Sequence, residues 1–327
     1  MHKIAFLFPG QGSQYPGMGR ELFDSFAAAR YVFEEADRAL GFSLSKLCFE
    51  GPAEELQLTV NTQPAILTVS AAAAEALREK GVRADFVAGH SLGEYSALVA
   101  ARALSLTDAV RLVRKRGEYM QEAVPVGQGA MAALLGGDWK SIEALCRDAA
   151  QGEVCSPANL NSPGQVVIAG HATAIARAVE LAPKRGIRRA VMLKVSAPFH
   201  CSLMQPAADR LAQDLDRAEI QDAEIPLINN VDAQAVRGAE EIRAGLKRQV
   251  TQPVRWEDSV RKMLAEQATL FVEVGPEKVL SGLIRQIDRN AECLYVEDQT
   301  SLMETVERIR GALHEASSQA SGKGGES

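Results

Sequence analysis

The sequence predicts an α/β protein in which a larger domain with a mostly parallel sheet carries a smaller, inserted domain. In residues 3–123, short apolar segments alternate with longer helical ones, as in a parallel sheet covered by helices. Residues 125–128 interrupt this alternation. The segments that follow have the order β-α-β-β-α-β, which is typical of a ferredoxin-like unit.

The elements before the interruption are delimited by residues that end or begin regular structure. Pro9-Gly10 ends the first apolar segment, and Gly81 ends an alanine-rich helical segment. Thr107 is suited to be the N-cap of the last helix in this part. The predicted elements are strands at residues 3–8 and 84–88 and helices at residues 62–80, 92–101 and 107–123.

The inserted domain is predicted from this change of pattern and from a turn signal. Asn161-Ser162-Pro163-Gly164 separates two short apolar segments, and asparagine, proline and glycine all favour tight turns. The predicted elements are strands at residues 130–135, 154–159, 165–169 and 190–195 and helices at residues 139–150 and 173–184. We therefore place this domain at residues 127–196, between the two parts of the larger domain, residues 1–126 and 197–315.

After Pro198 the larger domain resumes, and the chain ends in a polar tail. Residues 316–327 are small, polar and rich in glycine, which predicts a disordered tail. The predicted elements before it are helices at residues 201–217, 239–249, 256–267, 277–288 and 301–315 and strands at residues 226–229, 270–274 and 294–296.

Composition excludes several classes of protein. The formal net charge of −6 argues against a general nucleic-acid binder, which carries a dominant basic face. No targeting segment and no apolar run long enough for a membrane span is visible, so we expect a cytoplasmic protein without a membrane partner. The five cysteines are scattered and lack C-x-x-C spacing, which argues against a disulfide framework and against a zinc site.

A candidate nucleophile lies where the second predicted strand meets a helix. There the sequence Gly89-His-Ser-Leu-Gly93 matches the pattern G-x-S-x-G, which exposes a serine hydroxyl on a sharp strand-to-helix turn. The amino terminus of the following helix directs N–H groups toward an oxyanion that forms near Ser91. The alternative is a strand-helix turn with an incidental serine.

A serine nucleophile needs a base, and the chain contains only five histidines. His2 and His314 lie near the chain ends, and His171 begins a helix of the inserted domain. The side chain of His90 points away from that of its neighbour Ser91. By elimination we expect His200 to be the base, although a histidine at such a position is as often structural as catalytic.

Arg116 lies on the apolar face of the predicted helix 107–123. Its neighbours at helical spacing are Leu112, Val113, Tyr119 and Met120. Burying a guanidinium there is costly unless an anion meets it. Either an acidic side chain forms a salt bridge with Arg116, or Arg116 binds the carboxylate of a substrate.

Two glutamines occupy positions suited to a site. Gln11 lies between glycines directly after the first strand, where a side-chain donor can approach closely. The same segment matches a dinucleotide-binding fingerprint only in part, because Tyr15 replaces its third glycine, and we reject that interpretation. Gln249 ends a predicted helix before Pro253, where backbone carbonyls lack partners and can accept from a histidine N–H.

Taken together, these segments resemble the malonyl-coenzyme A:acyl carrier protein transacylase family. The resemblance covers about residues 3–310, and so many motifs in one order make it highly specific. It implies an α/β-hydrolase-like larger domain and a ferredoxin-like smaller one, with the site in the cleft between them. The matching motifs are FPGQGSQ at 8–14, NTQPAI at 61–66, GHSLGEY at 89–95, RG-x-x-MQ at 116–121, GAMAAL at 129–134, ANLNSPGQVVIAG at 158–170, SAPFH at 196–200 and PVRW at 253–256.

The resemblance also implies a role for each candidate residue. Ser91 is the acylated nucleophile, His200 is its base, and the backbone carbonyl of Gln249 orients the imidazole in place of an acidic residue. The side chain of Gln11 and the N–H of Leu92 form the oxyanion hole. Arg116 binds the free carboxylate of the malonyl group. We expect four further substrate contacts within the same motifs, from Met120, Phe199, His90 and Asn159.

These roles imply transfer of a malonyl group from malonyl-coenzyme A to the phosphopantetheine thiol of acyl carrier protein, for fatty-acid synthesis. Phe199 directly precedes the histidine, and in this it resembles the residue that malonyl-selective acyltransferases of polyketide synthases have there. Methylmalonyl-selective acyltransferases usually have serine at this position. Cys201 replaces the serine that usually follows the histidine. No cofactor is expected, because the acyl group passes from a thioester to a serine ester and back to a thioester, and these bonds are nearly balanced in energy.

The implied partner is acidic, and the chain is itself net negative, so docking needs a local basic surface. The densest basic cluster of the chain is on the inserted domain. It either docks the acidic partner or is simply a run of solvated charges. We expect a monomer. The cluster consists of Lys184, Arg185, Arg188 and Arg189.

Three other functions are compatible with parts of this pattern. A serine hydrolase or thioesterase would use the same nucleophile with an acidic third residue, which one of the many acids of the chain could supply. A non-catalytic binding subunit would not need Ser91 at all. An acyltransferase that serves a polyketide synthase would share all the chemistry and differ only in its pathway.

Overall fold

The computed structural model describes residues 3–195 and 197–322. In this part of the chain, ten strands form a six-stranded and a four-stranded sheet. The strands are β1 (Lys3–Phe8), β2 (Phe86–Gly89), β3 (Gly129–Leu135), β4 (Cys155–Ser162), β5 (Gln165–His171), β6 (Arg189–Met192), β7 (Leu227–Ile228), β8 (Ala235–Val236), β9 (Ala268–Val274) and β10 (Glu292–Val296).

Helices surround both sheets, and two short 3₁₀ helices, Ala182–Arg185 and Ser202–Met204, precede β6 and the tenth α-helix. The α-helices of the described residues are α1 (Arg20–Ser25), α2 (Ala27–Leu40), α3 (Leu44–Glu50), α4 (Ala53–Leu56), α5 (Thr59–Glu79), α6 (Gly93–Ala100), α7 (Leu106–Glu122), α8 (Trp139–Ala150), α9 (Ala172–Leu181), α10 (Gln205–Arg217), α11 (Ala239–Gln249), α12 (Trp256–Ala265), α13 (Val279–Ile287) and α14 (Gln299–Gly322).

The six-stranded sheet has the order β10-β9-β1-β2-β7-β8, and only β7 and β8 pair antiparallel. This confirms the predicted α/β class with a mostly parallel sheet. Phe8 pairs with Gly89, so the carboxyl ends of β1 and β2 lie side by side. The loops after these two strands therefore meet at one edge of the sheet, where parallel sheets bind their ligands.

Helices cover both faces of this sheet because alternate residues of β1 point to opposite sides. Ile4, Phe6 and Phe8 belong to one buried cluster, to which α2, α5, α6 and α7 also contribute. Ala5 and Leu7 belong to a second buried cluster, to which α12 and α13 contribute. Such two-sided burial explains why β1 reads as an unbroken apolar segment.

The four-stranded sheet has the order β4-β5-β3-β6 with antiparallel pairing throughout, which is the ferredoxin-like arrangement that the sequence predicts. On one face, Ala132 and Leu134 of β3 pack with residues of α8 and α9. On the other face, Met131 packs with Cys201, which follows the histidine of interest. The borders at residues 126/127 and 196/197 stay predictions.

Backbone hydrogen bonds join β4 of the smaller sheet to the segment before α12. The N–H of Leu160 donates to the carbonyl of Val254 at 2.8 Å, and the N–H of Val254 donates to the carbonyl of Ala158 at 2.9 Å. The segment before α12 thus continues the pairing of β4. This attachment places Asn159 of the smaller sheet beside Val254.

Several predicted boundaries differ from the structure. The N-cap of α7 is Ser105, whose hydroxyl accepts from the N–H of Asp108, whereas Thr107 lies inside the helix and donates to Glu35. No prediction covers residues 20–56, where α1 to α4 lie. Helices α1, α3 and α4 have only four to seven residues, but α2 has 14 and was missed although its buried residues lie at helical spacing. The two-residue strand β8 is also too short to be predicted.

The end of the chain is more helical than predicted. Helix α14 continues to Gly322, so residues 316–322, expected to be disordered, continue a helix. Alanine and glutamine in this segment are compatible with helix, which offsets the weaker serines and glycine. Residues 323–327 of the predicted tail lie outside the described residues.

Two of the predictions from composition concern a membrane span and a disulfide framework. No helix there combines the length and the apolar character needed to cross a membrane. All five cysteines are free thiols.

Candidate active site

The turn between β2 and α6 carries Ser91 in a strained conformation. Its φ is 53°, in the left-handed region that side chains other than glycine rarely adopt. A Cβ atom on Gly89 would lie 1.9 Å from the carbonyl carbon of Gly93, and one on Gly93 would lie 2.0 Å from the carbonyl oxygen of Phe8. Only glycine fits at these two positions, which explains the predicted G-x-S-x-G pattern.

Asn230 holds the backbone of this turn. Its side-chain oxygen accepts from the N–H of Ser91 at 2.8 Å, and its side-chain nitrogen donates to the carbonyl of Gly89 at 2.6 Å. No sequence-based prediction covers Asn230. The one available signal is the pair Asn229-Asn230 directly after a short buried strand, at the edge where the site lies.

His200 contacts Ser91 and is oriented by a backbone carbonyl. Its Nε2 lies 2.7 Å from the Oγ of Ser91, and its Nδ1 lies 2.8 Å from the carbonyl oxygen of Gln249. Because a carbonyl only accepts, the proton is on Nδ1 and the lone pair on Nε2 faces the serine hydroxyl. Burial, and then the positive charge of Arg116, lower the pKa of His200 to about 3, so the imidazole is neutral at pH 7.

Arg116 is a buried cation whose hydrogen-bond partners are neutral. It is 2% exposed. Its guanidinium donates to Oε1 of Gln63 at 2.8 Å, to Oε1 of Gln249 at 3.0 Å and to Oγ of Ser91 at 3.2 Å. Burial lowers the pKa of Arg116, but a guanidinium stays protonated at neutral pH.

The alternative of a structural salt bridge to Arg116 finds no support in the described residues. Among their ion pairs none includes Arg116, and its Nε has no hydrogen-bond partner there. A buried guanidinium next to the hydroxyl of Ser91 is therefore available to an anion that enters the site.

A cavity of about 130 Å³ lies over Ser91, between the two sheets. It brings together nine of the ten residues that the sequence predicts for the site, all but Gln249, which holds His200 from behind. Four further residues line it without having been predicted: Gln63, Met131, Leu193 and Val195. The nine predicted residues are Gln11, His90, Ser91, Leu92, Arg116, Met120, Asn159, Phe199 and His200.

The two residues expected to form the oxyanion hole approach Ser91 from different elements. Gln11 follows β1, and its side-chain nitrogen donates to Oγ1 of Thr59 at 3.1 Å. Leu92 is the N-cap of α6, where N–H groups lack partners within the helix. Both residues line the cavity over Ser91, and their role in an oxyanion hole stays a prediction.

His90 does not compete with His200 for the nucleophile. Its Nε2 lies 2.8 Å from Oδ1 of Asn161, and its ring centroid lies 5.6 Å from that of Trp256. Burial lowers the pKa of His90, so its ring is neutral. A neutral, fixed ring in the cavity wall is suited to contact substrate.

The predicted basic cluster is exposed at the edge of the smaller sheet. Lys184 and Arg185 end the 3₁₀ helix before β6, and Arg189 begins β6, the edge strand. Arg185 forms an ion pair with Asp148. Arg188, Arg189 and Lys184 are solvent-exposed, so their charges are accessible to a partner.

No group of three or more histidine, cysteine, aspartate or glutamate side chains in the described part of the chain could hold a metal ion. The chemistry of the site is described by the residues above.

Comparison with known proteins gives one consistent family. A model of the acyl transferase domain matches residues 5–319. The malonyl CoA-acyl carrier protein transacylase of Bacillus subtilis is 50% identical over 311 residues, which are 95% of this chain and 98% of the relative. The Escherichia coli K12 protein of the same name is 49% identical over 88% of this chain and 93% of its own.

Solved structures agree with these relatives. The malonyl CoA-acyl carrier protein transacylase of Coxiella burnetii matches with a TM-score of 0.92 and 44% identity, over 94% of this chain and 98% of that one. A malonyl-transacylase solved in complex with a type II polyketide-synthase acyl-carrier protein matches with a TM-score of 0.91 and 45% identity, over 94% and 99%.

Proposed function

The chain belongs to the malonyl CoA-acyl carrier protein transacylase family, within the acyl transferase domain family, and from this membership we infer that it is an acyltransferase. It transfers the malonyl group from malonyl-coenzyme A to the phosphopantetheine thiol of an acyl carrier protein. The product supplies extender units for fatty-acid synthesis. The roles of individual residues below are proposals.

The observation that carries the choice of acyl group is the buried guanidinium of Arg116. It lies 3.2 Å from the Oγ of Ser91 and is bonded only to neutral acceptors in the described residues. A malonyl ester of Ser91 ends in a free carboxylate within reach of such a group. A bidentate pair between that carboxylate and Arg116 would compensate the buried charge.

In the first half-reaction, Nε2 of His200 takes the proton of Ser91 while Oγ attacks the thioester carbonyl of malonyl-coenzyme A. The oxyanion that forms accepts hydrogen bonds from the side chain of Gln11 and the N–H of Leu92. The C–S bond then breaks, and the leaving thiolate takes the proton from His200. Ser91 carries the malonyl ester, and free coenzyme A departs.

In the second half-reaction, His200 takes the proton of the phosphopantetheine thiol, and the thiolate attacks the malonyl ester. Collapse of the tetrahedral intermediate returns the proton to Oγ of Ser91 and leaves malonyl on the carrier protein. We propose that neither half needs a cofactor, because each exchanges one activated acyl bond for another and consumes no redox equivalent.

A serine hydrolase with the same nucleophile is the alternative of a different class. The contact of His200 Nδ1 with the carbonyl of Gln249 favours transfer, because hydrolases of this fold usually orient their histidine with an Asp or Glu. The buried Arg116 also favours an anionic acyl group over the neutral acyl groups of most esters and thioesters.

Mass spectrometry of the intact protein after incubation with malonyl-coenzyme A tests the proposal. We expect one malonyl group on Ser91 and none on the Ser91→Ala variant. Holo acyl carrier protein should discharge the ester much faster than water does, and the malonyl group should appear on its phosphopantetheine. Rapid loss to water with no carrier product would indicate a hydrolase instead.

We further propose that Lys184, Arg188 and Arg189 contribute to docking of the acidic carrier protein. Replacing Lys184 and Arg189 with glutamate, singly and together, should raise KM for the carrier protein, by about tenfold for the double variant. The salt dependence of this KM should become weaker. Acylation of Ser91 by malonyl-coenzyme A should not change. These effects can be measured by steady-state kinetics at two salt concentrations.

Arg83→Glu is the matched control for the docking variants, because Arg83 is exposed and precedes β2 at the edge of the sheet opposite the site. If all variants raise KM equally, only net charge matters and the cluster is a solvated surface.

The monomeric state and the cytoplasmic location stay predictions.

The family includes a relative that was solved with a polyketide-synthase carrier protein, so service to such a synthase is the second pathway. The two pathways share the chemistry of this site and differ in the carrier protein. Comparing kcat/KM for the two kinds of carrier protein would distinguish them.

A further inference from the structure

The side chain of Gln249 connects Arg116 to a second buried charged group. Its Oε1 accepts from the guanidinium of Arg116 at 3.0 Å, and its Nε2 donates to Oε2 of Glu94 at 2.9 Å. The same amide donates to the carbonyl of Ser91 at 3.0 Å. One neutral amide therefore lies between a buried guanidinium and a buried carboxyl, directly beneath the nucleophile.

Glu94 is almost fully buried. It lies in the first turn of α6, is 1% exposed, and its Oε2 also accepts from the N–H of Asn230 at 3.0 Å. Its side chain thus meets the amide of Gln249 and the residue that holds the turn of Ser91, but it forms no direct ion pair in the described residues. The steps proposed above assign it no function.

The charged and titratable groups around Glu94 come from four elements. Arg116 of α7 is the buried cation, and Asp232, after β7, adds a negative charge. Arg248 of α11 forms an ion pair with Asp232 at 2.6 Å, and Tyr95 of α6 is neutral, with a pKa of about 12. Because Asp232 is paired with Arg248, Arg116 is the main group that balances the negative charge of an ionised Glu94.

We propose that Glu94 is the counter-ion of Arg116 in the free enzyme, acting through the amide of Gln249, and that its ionisation makes the binding of acyl groups with a free carboxylate depend on pH. The inference rests on the proposed function, since it concerns how Arg116 receives the malonyl group. Glu94 is a positioning residue, because it acts on substrate only through Arg116.

The reason is that one guanidinium cannot fully compensate two buried carboxylates. When the malonyl carboxylate reaches Arg116, an ionised Glu94 would become the second negative charge in a dry site, which favours its protonation. Burial, opposed by the hydrogen bonds from Gln249 and Asn230 and by Arg116, raises the pKa of Glu94 to about 7 already in the empty site. Binding of malonyl raises it further, so Glu94 takes up a proton from solvent as malonyl binds.

The sign of the pH dependence follows from this linkage. Below about pH 7, Glu94 is protonated in both states and malonyl affinity is constant. Above that pH, the complex holds a proton that the empty enzyme has lost, so affinity falls as pH rises, by up to about tenfold per unit, until the pKa of the complex is reached. A neutral acyl group such as acetyl should show no such change.

Calorimetry of the Ser91→Ala variant tests this, because that variant binds substrate without becoming acylated. Malonyl-coenzyme A and acetyl-coenzyme A are titrated at pH 7.5 in two buffers of different ionisation enthalpy, which gives the protons taken up by each. The difference between the two ligands cancels protonation of the coenzyme A phosphates. We expect a net uptake for malonyl that disappears when Glu94→Gln is added.

Glu94→Gln keeps a side-chain oxygen for both donors, removes the charge and replaces the other oxygen with an NH2 group. It should tighten malonyl binding at pH 8 several-fold relative to Ser91→Ala alone, make it independent of pH between 7 and 9, and leave acetyl binding unchanged. Asp232→Asn is the matched control, a carboxylate-to-amide change on the exposed side of the same region, and should retain the proton uptake.

Equal proton uptake with and without Glu94→Gln would overturn the inference, and so would a loss of uptake in Asp232→Asn of the same size. If Glu94→Gln does not fold, the malonyl and acetyl titrations of Ser91→Ala alone at pH 6.5 and 8.5 decide the matter. Equal pH dependence of the two ligands then contradicts the inference. Failure of the proposed function looks different, because wild-type enzyme would not acquire malonyl on Ser91 at any pH.

Discussion

Replacement of His200 with alanine is expected to lower kcat for malonyl transfer by about 10²–10⁴-fold. The reason is the pair of contacts that fix its role, Nε2 at 2.7 Å from Oγ of Ser91 and Nδ1 at 2.8 Å from the carbonyl of Gln249. Without the imidazole, no described side chain is placed to take the serine proton. The measurement is the rate of Ser91 acylation by malonyl-coenzyme A, followed by rapid quench and mass spectrometry.

Cys201→Ser is the matched control for this experiment. Cys201 is the next residue, is buried, and its thiol contacts the carbonyl of Pro198 at 3.1 Å, a contact that a serine hydroxyl can also make. We expect acylation within a few-fold of wild type. Retention of more than about a tenth of the rate in His200→Ala would remove His200 from the role of base.

Replacement of Arg116 with alanine is expected to change the selectivity of the enzyme. Loss of a desolvated charge pair with the malonyl carboxylate should cost about 2–5 kcal/mol, or at least about 30-fold in kcat/KM for malonyl-coenzyme A. Acetyl transfer needs no such partner and should be retained or increased. Competition of malonyl-, methylmalonyl- and acetyl-coenzyme A for wild type and variant measures the change.

Retained acetyl transfer also shows that Arg116→Ala is folded, so the result does not depend on stability alone. Arg111→Ala, an exposed arginine earlier on α7, is the control and should keep wild-type selectivity. Unchanged selectivity in Arg116→Ala would show that the malonyl carboxylate binds elsewhere.

The residues proposed to carry the chemistry could be identified because each leaves a local signal. Ser91 lies in a pattern with two required glycines, because a Cβ atom on either glycine would lie less than about 2.1 Å from a backbone atom. His200 follows by elimination among five histidines, and Arg116 lies among apolar residues at helical spacing. A strained turn, a rare side chain and a misplaced charge are all visible in sequence because each violates an ordinary preference.

The partners of these residues could not be predicted in the same way. Gln63, Glu94 and Asn230 lie in three separate segments and look like ordinary polar residues in each. Gln63 was part of a matching motif, and Glu94 follows the nucleophile closely, yet neither position shows which atoms it faces. Their roles depend on hydrogen bonds between residues 19 to 155 positions apart, which local patterns do not encode.

The sequence by itself determined the fold class, the order of the two sheets along the chain, the candidate nucleophile, the candidate base and the buried cation. Periodicity, glycine positions and residue rarity act over a few residues, so they survive in one dimension. Only the tertiary structure decided the N-cap of α7, the extent of the last helix and the side-chain bridge of Gln249 between Arg116 and Glu94. The Gln249 bridge arises because distant segments exclude water together, and burial makes a charge depend on every group that surrounds it.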